Sequence, residues 1–321
     1  MISCTEFIPL YSEFFKFMES KGGHEAVVRY WEYISDTSIG DKTNPNSLAS
    51  HVEARGFEGC WTYWKHTLTE EACDTIRIYD PVNKTIYSQM RHCPSKGMLN
   101  DLKHIEPYYD YCGHCSVLYS RVLDKYGITK ESLGVNAENA SCSGLIYMAG
   151  HRPEGEALKR AMTPSEDKII MDLYSEDNKY LHRDFHLIGD NALRYCGLKY
   201  GDNGVREFMD WFANSHYGPI IADIKARGLV AMQEKLEQIY EVEEFPEVLH
   251  TELTDDELIV TVDRNPVIDY MHSLNQKPSK YYVEETRGLY AAVADACGLG
   301  FEMLYYNEDG GTKYRFFKRA F

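Results

Sequence analysis

Thr85-Ile86-Tyr87-Ser88-Gln89-Met90-Arg91-His92-Cys93-Pro94 decides how the chain is read, because Leu258-Ile259-Val260-Thr261-Val262-Asp263-Arg264-Asn265-Pro266 repeats its pattern 172 positions further on. Each stretch is a β-rich run that ends in a polar residue and a proline, the signature of a strand passing straight into a helix start. Other pairs keep nearly the same spacing. Ala54-Arg55-Gly56 matches Ala226-Arg227-Gly228 at 172 positions, and Leu118-Tyr119 matches Leu289-Tyr290 at 171. Pro107 pairs with Pro278 in the same way. Earlier in each half, Val27, Tyr30 and Ile34 correspond to Val205, Phe208 and Phe212 at helical spacing.

These regularities predict an α+β fold built as a tandem duplication of a helix-helix-hairpin-helix-helix-strand unit with antiparallel sheets. Residues 1–148 form the first unit, 149–180 a polar linker with a short helix at 164–174, and 181–321 a second, degenerate unit. Within the first unit, Gly22-Gly23 divides two helices over 7–35, and a helix runs over 47–68. Strands at 75–79 and 85–90 form a hairpin around Asp80-Pro81-Val82-Asn83-Lys84. Helices at 95–103 and 114–126 and a strand at 141–148 complete it.

Composition bounds the function. The chain of 321 residues is globular in composition and carries a net charge of −16. That surface repels nucleic-acid phosphates and anionic lipid, and no basic run interleaved with aromatics offsets it. No apolar stretch approaches a membrane span, and the start lacks a signal peptide's basic and apolar segments. The expected setting is cytoplasmic, where the nine cysteines stay reduced. No Walker pattern, strand-linked GxGxxG or Gly-x-Ser-x-Gly elbow is present, so no nucleotide cofactor is expected.

Chemistry concentrates in the first unit. His92, Cys93, Cys112, His114 and Cys115 fall within two dozen residues. Thiolate and imidazole at this density suit a divalent metal, zinc or iron, or a reactive thiol. The matching positions of the second unit are Asn265, Val283, Glu285 and Thr286 for Cys93, Cys112, His114 and Cys115, so the fold does not need the cysteines in both halves. A second candidate ligand pair, His182 and His186, shares a face if helical. The expected metal ligands are therefore Cys93, Cys112, Cys115, His114, His182 and His186. The expected catalytic groups are Cys93, Cys112, His114 and His92. Glu70 and Glu71 read as solvated carboxylates at a helix end.

With Cys93-Pro94 and Tyr111-Cys112-Gly113-His114-Cys115 set among β-rich strands and helices, the chain resembles the family named for L-2-amino-thiazoline-4-carboxylic acid hydrolase. The resemblance covers mostly residues 20–147, and Asn265-Pro266 breaks the motif in the second half. It implies hydrolysis of a non-peptide C–N bond in a small cyclic amidine or amide. Two routes fit the residues: a metal-activated water, or a thiolate with His114 or His92 moving protons. The alternative is a non-enzymatic metal- or small-molecule-binding sensor with a structural Cys/His site. The expected partner in either case is a small molecule.

Overall fold

The computed structural model describes residues 1–319. It divides into two compact units. One is Lys21–His182, the cysteine unit; the other joins Met1–Ser20 to Arg183–Phe321 and is the tyrosine unit. The architecture is α+β with antiparallel sheets, as the sequence predicts.

The chain opens with α1 (Phe7–Ile34), interrupted at Gly22 and Gly23, where Gly23 takes φ 68°. The cysteine unit continues with α2 (Leu48–Arg55), α3 (Glu58–Glu70), β1 (Asp74–Asp80), β2 (Thr85–His92), α4 (Pro94–Asp101) and α5 (His114–Leu123). It closes with β3 (Ile128–Asn136), β4 (Ser141–Met148), α6 (Gly155–Met162) and β5 (Ile169–Leu173). Its sheet runs in the order β3-β4-β2-β1-β5. The tyrosine unit holds α7 (Asp184–Ser215), α8 (Gly218–Arg227), α9 (Leu229–Val242), β6 (Leu249–Leu253), β7 (Glu257–Val262), α10 (Pro266–Ser273), α11 (Arg287–Ala296), β8 (Leu299–Tyr306) and β9 (Thr312–Lys318). Its sheet order is β6-β7-β9-β8. Strand for strand, that is the order of the first four strands in the other sheet.

Four expectations are corrected. Residues 1–20 belong with the second half of the chain, not with residues 21–148. The segment 149–180 is no linker: α6 packs Ala161 under the sheet, and β5 pairs with β1 as a fifth strand. The helix expected at 164–174 is that strand, whose Ile169, Ile170 and Met171 carry β-propensity. The helix expected over 47–68 is two, because Gly56 takes φ 59° at the end of α2.

Helix starts on the two sheets are built alike. Cys93 caps α4, its sulfur accepting the Lys96 N–H at 3.5 Å, with Pro94 at the first helical position. Asn265 caps α10 through Oδ1 to the Val267 N–H at 2.9 Å, followed by Pro266. Either residue type supplies an acceptor for an otherwise unpaired N–H, which is why cysteine and asparagine exchange here.

Strand alternation sends Ile78, Tyr87, Leu145 and Tyr147 to one face of the cysteine-unit sheet, where they form a core with Ala161. The opposite face meets α3: Trp61 stacks on Tyr79 at 5.7 Å and Trp64 lies 4.8 Å from the Arg77 guanidinium. The α2–α3 corner depends on a close approach. A Cβ on Gly59 would stand 2.3 Å from the His51 carbonyl oxygen. Gly59→Ala is expected to destabilise the fold by about 1–3 kcal/mol. Gly134→Ala, whose Cβ would meet nothing nearer than Ser143 Oγ at 3.8 Å, is expected to stay within about 0.5 kcal/mol. Urea midpoints followed by circular dichroism check both, and equal effects would contradict the packing at this corner.

Candidate active site

The site is assembled on the α3-facing side of the cysteine-unit sheet and on the starts of α4 and α5. A single turn, Tyr111–Gly113, leads into α5 and places His114 and Cys115 on its first turn. His114 Nδ1 lies against the Tyr111 carbonyl oxygen. A carbonyl only accepts, so Nδ1 carries the proton and Nε2 is left as an acceptor. That Nε2 stands 3.4 Å from Cys115 Sγ. The imidazole ring is flanked by Tyr111 at 4.8 Å and Trp31 at 6.5 Å between centroids. Thiol, base and orienting carbonyl therefore stand in line, the arrangement a thiol nucleophile uses.

Cys115 is the common neighbour of the other groups. Its charge acts on Cys93, Cys112, Cys142 and Tyr119. Glu71, at the end of α3, acts on Cys93, His114 and Cys115. Lys130 of β3 acts on His114, Cys115 and Cys142. Cys93, Cys112, His114, Cys115, Glu71 and Tyr119 are all half-buried, and Cys142 is exposed. Solvent partly reaches them, yet surrounding protein penalises the charged forms of the thiols and the imidazole.

Burial sets the protonation states. It pushes the Cys93 thiol well up, raises Cys115 and Cys142, and takes Cys112 to about 11. It lowers His114 to about 4 and raises the Glu71 carboxyl, which His182 and His114 pull the other way. At neutral pH the Cys115–His114 pair is thiol and neutral imidazole.

The residues expected from the sequence do not all meet here. Cys93, Cys112, His114 and Cys115 do. His92 does not: it is exposed, and its ring covers Gly97, where an added Cβ would be 2.1 Å from Nε2. His182 and His186 share no helical face, because α7 begins at Asp184, after His182. His182 Nδ1 pairs with Glu70 Oε2 at 2.8 Å, whereas His186, in the tyrosine unit, pairs with Glu243 Oε2 at 3.2 Å. Among the described residues no group of three or more His, Cys, Asp or Glu side chains is placed to hold a metal ion. The six ligands named from the sequence are thus not one coordination set. Arg77, Lys130 and Cys142 were not singled out, and Glu71, read as a solvated carboxylate, is half-buried and raised by burial. The signal for Arg77 was its place in Thr75–Tyr79, between two residues of one strand face.

Comparison with protein-family models, with curated proteins and with solved structures finds no match to the chain. The resemblance described above rests on the quoted residues alone. Among the described residues no helix is long and apolar enough to cross a membrane.

His114 gives the site a pH signature. Between about 4 and its ordinary 6.5 the unfolded chain binds the His114 proton and the folded chain does not. Stability from this group therefore rises with pH across that window, by about 3 kcal/mol in total. His114→Gln is expected to remove this part of the slope in urea unfolding between pH 4 and 7. An unchanged slope would mean that His114 titrates normally in the fold.

Proposed function

We propose that the cysteine unit is a small-molecule hydrolase that cleaves a non-peptide C–N bond, of the cyclic amidine or amide type, with Cys115 as nucleophile and His114 as its base. The observation that carries this reading is the 3.4 Å approach of Cys115 Sγ to an His114 Nε2 whose tautomer the Tyr111 carbonyl fixes. The role falls to Cys115 rather than to Cys93 or Cys112, because Cys93 Sγ is engaged as the cap of α4. The two units read as copies of one ancestral fold, of which only this one kept the chemistry.

The step balances without an external redox partner. The Cys115 proton passes to His114 Nε2 while sulfur bonds to the amidine or amide carbon. Collapse of the adduct breaks the C–N bond, and His114 returns the proton to the leaving nitrogen. Water then attacks the thioester or thioimidate, and the thiol is released. Position on the first turn of α5 favours negative charge on sulfur, which offsets part of the burial penalty on the thiolate. The neighbouring Glu71, held toward its protonated form by burial, is a second proton source beside the pair.

A second reading, a binding or sensor protein, is favoured by the same burial. It holds Cys93, Cys112 and Cys115 above the ordinary thiol range and His114 below its own, so the resting pair is not ionised. Turnover separates the two. Screening cyclic amidines and amides is expected to find a substrate whose kcat/KM falls at least about 100-fold in Cys115→Ala and in His114→Ala. Cys196→Ala, at a core position of the tyrosine unit, is expected to keep its activity. Ligand binding with no turnover across the screen would give the sensor reading instead.

A further inference from the structure

One buried guanidinium in the cysteine unit has no ionic partner among the described residues. Arg77 of β1 is 5% exposed, and its Nε and Nη2 are sealed from solvent without a hydrogen-bond acceptor. Burial lowers it to about 10, and no carboxylate stands among the groups that oppose the shift. Its guanidinium lies 4.8 Å from the Trp64 ring. An unpaired buried guanidinium is expensive, and nothing in the packing of this chain requires it.

The sheet shows what surrounds Arg77. Strand pairing aligns Arg77 with Ser88, Ser88 with Gly144, and Gly144 with Ser132 in one row. The tyrosine-unit sheet, aligned through its strand order and the Cys93/Asn265 caps, has Thr251, Val260, Tyr314 and Met303 in that row. Tyr314 is fully buried there, its ring 5.6 Å from Tyr290. In the cysteine unit that tyrosine is Gly144. A Cβ added to Gly144 would meet only the Glu131 carbonyl oxygen, at 3.0 Å, and no side chain. Among the described residues no side chain stands within 4 Å of that Cβ position, where the other sheet carries a tyrosine. Lys130, which takes the place of Phe301, stands on the same side with its Nζ 5.5 Å from the Tyr119 centroid. Both cations act on Cys142, and Lys130 also acts on Cys115.

We infer that the space over Gly144 is a subsite for a small oxyanion, a carboxylate or phosphate group of the ligand, with Arg77 as its receptor and Lys130 as a second cation at its edge. The inference rests on the proposed function only in placing the ligand's reacting carbon near Cys115. The bound anion supplies the missing counter-charge, so a guanidinium that destabilises the empty fold becomes a source of affinity. It also positions an attached ring over the Cys115–His114 pair.

The test uses the full chain, with thermal melting and calorimetric titration as readouts that need no turnover. Benzoate and inorganic phosphate are compared with benzamide and with potassium chloride at equal ionic strength. At least one oxyanion is expected to raise the melting temperature, while benzamide and chloride do not. Arg77→Met, which keeps the side chain's length without its charge, is expected to melt no lower than the parent and to bind that oxyanion at least about 30-fold more weakly. Cys196→Ala, in the core of the tyrosine unit, is expected to bind as the parent does. Failure of both oxyanions to act on the parent, or an equal effect of benzamide or chloride, overturns the inference without any variant. So does an Arg77→Met chain that keeps parental affinity. Oxyanion binding with no substrate in the hydrolase screen would remove the proposed reaction and leave the subsite standing; turnover indifferent to Arg77→Met would do the reverse.

Discussion

The helix-covered face of an antiparallel sheet must be filled, and the two units of this chain fill it differently. In the tyrosine unit Tyr290, Phe301, Tyr314 and Phe316 close the face, with ring centroids 5.3–6.5 Å apart. Such a group buries several hundred Å² of aromatic surface and needs nothing else to stabilise it. The corresponding positions of the cysteine unit are Tyr119, Lys130, Gly144 and Ile146. In exchange for four aromatic rings, these positions carry one aromatic ring, one cation, one glycine and one aliphatic side chain. Trp61, Trp64 and Tyr79 pack on this face, and Ile78, Tyr87, Leu145 and Tyr147 pack on Ala161 across the sheet, which α6 covers and β5 extends.

Electrostatics follows from the same exchange. The chain as a whole is acidic, at −16, yet the α3-facing side of this sheet carries Arg77 and Lys130. Protein surrounds the thiols and imidazole closely enough to keep them neutral at rest. A neutral thiol beside a neutral imidazole does not react with bulk solutes at an appreciable rate, since the thiolate is the nucleophile. A ligand that brings an electrophilic carbon to Cys115 changes the balance locally, because charge developing in the adduct is met by the imidazolium and by the α5 N-terminus.

Much of the fold was legible in the sequence because it is written in periodicity. The near-constant spacing from Cys93 to Asn265 and from Tyr119 to Tyr290 located equivalent strands and helices, and alternation in β7 and β9 marked the second sheet. Two features were hidden. The strand β5 carries exposed Ile169 and Ile170 at an edge, so its apolar run lacks the alternation that separates strand from helix. The hairpin partner β3 contains Lys130, Glu131, Ser132 and Gly134, a polar run that reads as loop because the face it lines is not apolar. The cysteine and histidine cluster was legible because its members are close in sequence. Arg77 and Cys142 were not, since they lie far apart in sequence and the sheet brings them together. His92 illustrates the converse: adjacency to Cys93 in sequence places it on the opposite side of the strand end, against Gly97.

The central claim is that Cys115 and His114 act as a pair, and site-resolved alkylation tests it most directly. Chloroacetamide, an amide-shaped electrophile, is applied to the folded chain at neutral pH, and modification of each cysteine is followed by peptide mass spectrometry in the parent and in His114→Gln. The account predicts that Cys115 is slowed by the substitution on the order of 100-fold, while the exposed Cys142 keeps its rate. Equal slowing at both cysteines, or no change at Cys115, would contradict it.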